Sequence, residues 1–169
     1  FKQKLRSDAD RGVPYVHSSV DASDTSCNAA IKVVDSSIAT LALFRRNLPK
    51  IALEKASNKI TEAYADRRSL SFYGSGHSGM VAQDGQLRFS RLGFHSTACG
   101  DGYSQVLNAA SRHEGDIVVA LSGSGRSKEL LESVDIARRQ GATVIALTGT
   151  GTPLAALGCI HLATDHLED

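Results

Sequence analysis

Cysteine is scarce: Cys27, Cys99 and Cys159 stand far apart and are odd in number. No Cys-x-x-Cys pair and no His/Cys cluster accompanies them, so neither a disulfide framework nor a metal site has a ligand set to draw on. They read as reduced, mostly buried thiols. Apolar residues never run unbroken for eighteen positions, and the amino terminus lacks the basic-then-apolar order of a signal peptide. The expectation is a soluble, cytoplasmic protein with no membrane partner. A strong charge excess is missing too, the net being +1. Residues 1–68 carry 12 Lys/Arg against 8 Asp/Glu, and residues 69–169 carry 7 against 10. The first half is too dilute in positive charge to argue nucleic-acid binding, and an anion held by the second half must be met by local donors rather than a long-range field. Two familiar loops are absent as well. No Gly-Lys-Ser/Thr follows a glycine-rich turn, which excludes a Walker A site, and no serine sits inside Gly-x-Ser-x-Gly, which excludes a hydrolase nucleophile elbow.

What the sequence does have is concentrated in Asp116–Ser127. Ile117-Val118-Val119-Ala120-Leu121 is a buried strand by composition, and it runs into Ser122-Gly123-Ser124-Gly125-Arg126-Ser127. Leu130, Leu131, Val134 and Ala137 then fall on helical spacing. A strand, a small-residue turn and a helix start suit an anion: the first backbone N–H groups of a helix lack internal partners and carry partial positive charge. Serines add donors without bulk, and glycines let the backbone approach a ligand. The plainer reading makes Ser127 a helix cap and Ser122 and Ser124 loop filler. A second loop of the same kind, Gly74-Ser75-Gly76-His77-Ser78-Gly79, follows a strand at Leu70–Tyr73 and opens a helix through Met80, Val81, Leu87 and Phe89. Two such loops at the ends of parallel strands would flank one crevice.

The remaining elements fall into place around these. Ile31, Val34, Ile38, Leu41 and Leu48 predict a long amphipathic helix over 28–48, ended by Pro49. Leu53, Ala56, Ile60 and Tyr64 predict a second to about Asp66. Strands are expected at Phe94–Ala98, Ile117–Leu121, Thr143–Leu147 and Cys159–Ala163, with a helix through Val106, Leu107 and Ala110 after the second strand, Gly141 closing the helix of the third, and a short helix from Pro153. Strands and helices in alternation give an α/β fold, a five-stranded parallel sheet covered on both faces, preceded by N-terminal helices.

The glycines admit more than one reading. Gly74–Gly79 matches G-x-G-x-x-G, and Asp101 lies 22 residues past Gly79, near where a dinucleotide-binding domain places its ribose-binding acid. That reading leaves the loop at 122–127 without a purpose. The third reading is a phosphosugar site. Ser122–Ser127 resembles the S-x-S-G-x-[ST] loop of the sugar isomerase (SIS) domain, and Gly74–Ser78 is similar to that domain's first Gly/Ser loop. Phe72–Ser78, Gln83-Asp84, Arg88-Phe89, Arg91-Leu92-Gly93, the Ser-Gly-Arg-Ser turn and the Gly12–His17 segment further resemble the effector domain of RpiR-type bacterial transcriptional regulators.

This resemblance implies a three-layer, flavodoxin-like α/β/α domain over residues 27–169 that forms a homodimer. It implies binding of a phosphorylated sugar or sugar acid, such as 2-keto-3-deoxy-6-phosphogluconate, through Ser75, Gly76, His77, Ser78, Ser122, Gly123, Ser124, Gly125, Arg126 and Ser127. Residues 1–26 would link to an N-terminal helix-turn-helix domain, through which alone DNA would be bound. No cofactor, metal or catalytic residue is expected. The competing activity is an aldose–ketose isomerase, which needs a general base. Glu129 or Glu132 would have to provide it.

Overall fold

The computed structural model describes residues 20–164; the Gly12–His17 segment and His166 lie outside them. The chain divides into two compact units, one containing the described residues through Leu48 and the other beginning at Pro49.

Among its described residues the first unit holds one helix, α1, Ser26–Arg46. Thr25 caps it by accepting from Asn28 N at 3.2 Å, and Lys32 pairs with Asp24 at 2.8 Å. Arg45 and Arg46 oppose the helix dipole at its end. None of its residues is buried, and Ile31, Val34, Ile38 and Leu41 are exposed. Its most apolar 18-residue window has mean hydropathy 1.4, so by length and composition alone it could cross a bilayer, although no apolar run reaches eighteen residues. Lys32 and Asp35, one turn apart, would each cost about 2.5–3.5 kcal/mol at a membrane's centre, which favours an amphipathic helix.

The second unit contains α2 (Lys50–Ala65), β1 (Leu70–Tyr73), α3 (His77–Arg91), β2 (Ser96–Cys99) and α4 (Gly102–Ala110). After these come β3 (Ile117–Leu121), α5 (Lys128–Arg139), β4 (Thr143–Thr148), α6 (Pro153–Leu157) and β5 (Ile160–Ala163). The strands form one parallel sheet in the order β2-β1-β3-β4-β5. Side-chain alternation sends Leu70, Phe72, Ile117, Val119, Leu121 and Ile145 to one face, against Ala56 and Ala63 of α2 and Ala82 of α3. Tyr73, Val118, Ala120, Val144 and Ala146 face the other way, against Ala109 of α4, Leu130, Val134 and Ala137 of α5, and Leu154 of α6. The expected α/β/α layering is therefore present. Each buried Leu, Ile, Val or Phe contributes about 1.5–3 kcal/mol relative to exposure, and the alanines let the helices seat closely on the sheet.

Element ends follow their chemistry. Gly141, at φ +89°, closes α5, and Pro153 stands in the first turn of α6 behind the Thr152 cap. Strand β2 begins later than its apolar residues suggest, at Ser96 rather than Phe94. Phe94 belongs to an aromatic cluster, 4.7 Å from Tyr64 and 5.2 Å from Phe89 between ring centroids. The expectation of mostly buried cysteines is corrected: Cys99 is buried, whereas Cys27 and Cys159 are exposed.

Candidate functional site

The strand order determines where a site can form. From β1 the chain crosses outward to β2 and then back past β1 to β3. The sheet therefore changes direction between β1 and β3, where open α/β sheets leave a crevice at the carboxyl ends of the strands. Tyr73 is in register with Ala120, so the loops after β1 and β3 leave the sheet side by side.

The first loop is built on close backbone approach. A Cβ on Gly74 would stand 2.5 Å from the carbonyl oxygen of Ser78, and one on Gly79 would stand 3.1 Å from that of Gly74. Gly76 takes φ +58° and precedes α3, which starts without a side-chain cap. By contrast, α4, α5 and α6 are capped by Asp101, Ser127 and Thr152. Ser75, Gly76 and His77 are exposed and Ser78 is half-buried. Beneath them lies Gln105, fully buried, whose Nε2 donates to the Cys99 carbonyl at 3.2 Å and reaches Ser75 Oγ at 3.4 Å.

In the second loop the serines first serve the loop itself. Ser122 Oγ accepts from Gly125 N at 3.0 Å, and Ser124 Oγ accepts from Arg126 N at 3.4 Å. A hydroxyl has one hydrogen to give as well as lone pairs to fill, so Ser122 and Ser124 can each accept from the backbone and donate to a bound anion. Ser127 differs. It caps α5 by accepting from Leu130 N at 3.5 Å and gives its hydrogen to Glu129 Oε2 at 3.1 Å. The loop remains open to solvent: Gly123, Ser124 and Arg126 are exposed, and only Gly125 is buried.

A third loop buttresses the second. Thr148 Oγ1 and Thr152 Oγ1 lie 3.1 Å apart, Gly125 packs directly on both, and Leu154 N donates to the Gly125 carbonyl at 3.2 Å. Nothing local marks Thr148 and Thr152 as partners of Gly125. Their signal is the repeated hydroxyl-and-glycine run at 148–152, ahead of Pro153.

Two carboxylates border the site. Asp101 accepts from Ser104 N at 2.9 Å and from Ser104 Oγ at 2.8 Å, and these bonds, backbone first, hold it below the ordinary aspartate range. Both its oxygens thus take part in capping α4. Glu129 reaches from α5 to the turn at Gly102, where a Cβ would meet its own Cβ at 2.8 Å. Its backbone N–H and then the Ser127 hydroxyl hold it below the ordinary glutamate range. On the core side, burial raises the Tyr73 hydroxyl, which donates to Asn108 Oδ1 at 2.8 Å, and it raises the Cys99 thiol. Burial thus favours the neutral form of both.

The predicted ligand residues thus sit on two adjacent loops, with Ser75, Ser122 and Ser124 placed to donate and Ser127 already engaged. Glu132 lies on α5, one turn beyond Glu129. A cavity of about 450 Å³, lined by Tyr64, Arg67, Arg68, Phe94 and His95 among others, lies at the opposite, amino-terminal end of β1 and β2. None of the predicted ligand residues lines it. Among the described residues no His/Cys/Asp/Glu group could hold a metal.

The SIS domain family matches residues 63–168. Over 168 residues the chain is 39% identical to the bifunctional protein glk of Paraburkholderia xenovorans, covering 99% of this chain and 26% of that protein. It is 34% identical to the HTH-type transcriptional regulator HexR of Escherichia coli, covering all of this chain and 57% of HexR. The chain thus spans about a quarter to somewhat over half of these relatives' lengths. Among solved structures, Vibrio vulnificus NanR complexed with ManNAc-6P superposes with a TM-score of 0.76 at 19% identity, over 95% of this chain and 55% of that one. The sugar isomerase domain of an RpiR transcription factor from Sphaerobacter thermophilus gives 0.72 at 20%, over 79% and 74%. A phosphoheptose isomerase from Francisella tularensis gives 0.71 at 23%, over 84% and 87%. At these identities the structures share the fold.

Proposed function

We propose that this chain, which belongs to the SIS domain family, is the effector-sensing domain of a transcriptional regulator of carbohydrate catabolism. Its ligand is a phosphorylated sugar acid of the 2-keto-3-deoxy-6-phosphogluconate type, bound between the loops at 74–79 and 122–127. Binding controls the DNA affinity of a separate helix-turn-helix domain joined through residues 1–26, in a cytoplasmic homodimer. The observation that carries this reading is the pairing of two hydroxyl-bearing loops at the point where the strand order reverses. The uncapped start of α3 adds a partial positive charge beside them. The likeness to HexR along the whole chain supports a regulator, and NanR complexed with ManNAc-6P supports a phosphosugar ligand.

The isomerase reading has in its favour the fold shared with a phosphoheptose isomerase and the position of Glu129 beside Ser127 and Gly102. A general base works best with a pKa near the operating pH. Glu129 is shifted the other way, downward, by the bonds that hold its charged form. That shift is away from the range a general base needs. Incubating the chain with aldose and ketose phosphates and measuring interconversion decides the point: turnover abolished by Glu129→Gln would establish the enzyme.

Titration calorimetry with 2-keto-3-deoxy-6-phosphogluconate, 6-phosphogluconate, inorganic phosphate and NAD tests the proposal. The sugar acid phosphates are expected to bind and NAD is not. Ser122→Ala removes a donor to a charged group, worth about 1.5–3 kcal/mol, and is expected to weaken the sugar acid phosphate by about 10- to 100-fold. Because Ser122 Oγ also holds Gly125 N, a small fall in melting temperature accompanies it. Unchanged affinity would remove Ser122 from the site.

A further inference from the structure

Gln105 is a fully buried amide half of whose hydrogen-bonding capacity is met. Its Nε2 has two hydrogens, one directed to the Cys99 carbonyl at 3.2 Å and one to Ser75 Oγ at 3.4 Å. Its Oε1 is buried without a hydrogen-bond partner among the described residues. Exchanging the two amide atoms does not repair this, because Oε1 would then face the Cys99 carbonyl, oxygen against oxygen. The Cys99 carbonyl therefore fixes the amide's orientation, and that orientation presents an N–H to Ser75.

An orphaned buried acceptor costs stability, whereas an apolar side chain of similar size at the same position would not. The bond to the Cys99 carbonyl serves the fold, but that carbonyl also accepts from Gly74 N at 3.2 Å and does not depend on the amide; the loop above it does. When Gln105 donates to Ser75 Oγ, one of the serine's two lone pairs is occupied, and its own hydrogen is left to be donated to another group. We propose that Gln105 is the positioning residue of the first loop: it sets Ser75 as a hydrogen-bond donor to the ligand's anionic group before the ligand arrives. The inference rests on the phosphosugar reading of that crevice, and it adds a residue that neither loop contains. A serine held in this way on an exposed, glycine-flanked turn loses less freedom on binding.

The test is Gln105→Met in the full chain, alone and combined with Ser75→Ala, measured by calorimetry with 2-keto-3-deoxy-6-phosphogluconate and by thermal melting. Methionine fills similar volume without a polar atom. Gln105→Met is expected to melt at the same temperature as the wild type or higher, to bind roughly 3- to 10-fold more weakly, and to have no further effect once Ser75 is alanine. If Gln105→Met binds as the wild type does, the positioning role is wrong and the phosphosugar reading stands. A lower melting temperature, with equal affinity losses in both backgrounds, would make Gln105 a packing residue and overturn the inference. If the wild type itself fails to bind the probe, the phosphosugar reading falls and the inference with it.

Discussion

Gly125→Ala is expected to abolish binding of the sugar acid phosphate and to lower the melting temperature by about 4–20 °C. Two independent penalties combine at this position. Gly125 takes φ +60°, where a Cβ costs roughly 1–2 kcal/mol. The added atom would also stand 2.5 Å from Thr152 Cβ and Oγ1 and 2.6 Å from Thr148 Oγ1, far inside contact distance, and forced overpacking typically costs about 1–3 kcal/mol. Neither threonine can rotate away cheaply. Thr152 caps α6 by accepting from Ala155 N at 3.2 Å, and its hydroxyl is also paired with Thr148. The loop must move instead, which breaks the bond from Gly125 N to Ser122 Oγ and the bond from Leu154 N to the Gly125 carbonyl. At about 2–4 °C per kcal/mol for a chain of this size, the combined cost gives the stated shift. Gly123→Ala serves as the control, because a Cβ there meets nothing within 4 Å and its φ is not positive. Melting curves and calorimetry on the two variants check the prediction; equal behaviour would show that Thr148 and Thr152 do not support the loop.

This pair of glycines also shows what the sequence can and cannot reveal. Both sit in one Ser-Gly-Ser-Gly run and look equivalent. The run marks a loop of small donors between a buried strand and a helix, and that much is local information. Which glycine is required depends on a contact with residues more than twenty positions away, and no pattern in the run encodes it. The same holds for Gln105, which reads as an ordinary helical residue until β1 and β2 are paired and Ser75 is placed above it. Glu129 likewise looks like a solvated helix residue, and only the fold brings it to Gly102.

The sheet was legible for a related reason. Strands β1 and β3 lie where their residues place them, because Leu70–Tyr73 and Ile117–Leu121 are buried at every position and bounded by polar residues. The edge strand β2 is only partly buried, so composition cannot define its start. Its register comes from pairing Leu70 with Ser96, while Phe94 is diverted to the Tyr64–Phe89 cluster.

At the opposite end of the sheet from the loops, Asp116→Ala is expected to cost about 3–5 kcal/mol while leaving the affinity of folded molecules unchanged. Asp116 is 5% exposed. Its Oδ1 accepts from Ser69 N at 2.9 Å, its Oδ2 accepts from His113 N at 3.0 Å, and the Arg112 guanidinium lies 3.6 Å away. Its own carbonyl accepts from Thr143 N at 2.8 Å. This one residue thus ties the entries of β1, β3 and β4 to the end of α4. Alanine keeps the backbone bond and loses the other three interactions. Two N–H donors are then left without their charged acceptor, and a largely buried guanidinium is left without its counter-charge. Hydrogen bonds to a charged group are worth about 1.5–3 kcal/mol each, and breaking a buried pair from one side costs about 3–5 kcal/mol; the two figures describe overlapping losses and are not added. The melting temperature should fall by roughly 6–20 °C. Calorimetry below the transition should return the wild-type affinity, because strands β1 and β3 separate Asp116 from the loops. A variant that melts early but binds normally would confirm that stability and recognition reside at opposite ends of the same strands. A loss of affinity in the folded molecules would mean that the entry of β3 and its exit loop are coupled, and that the crevice is set by the register of the whole strand rather than by its last residues.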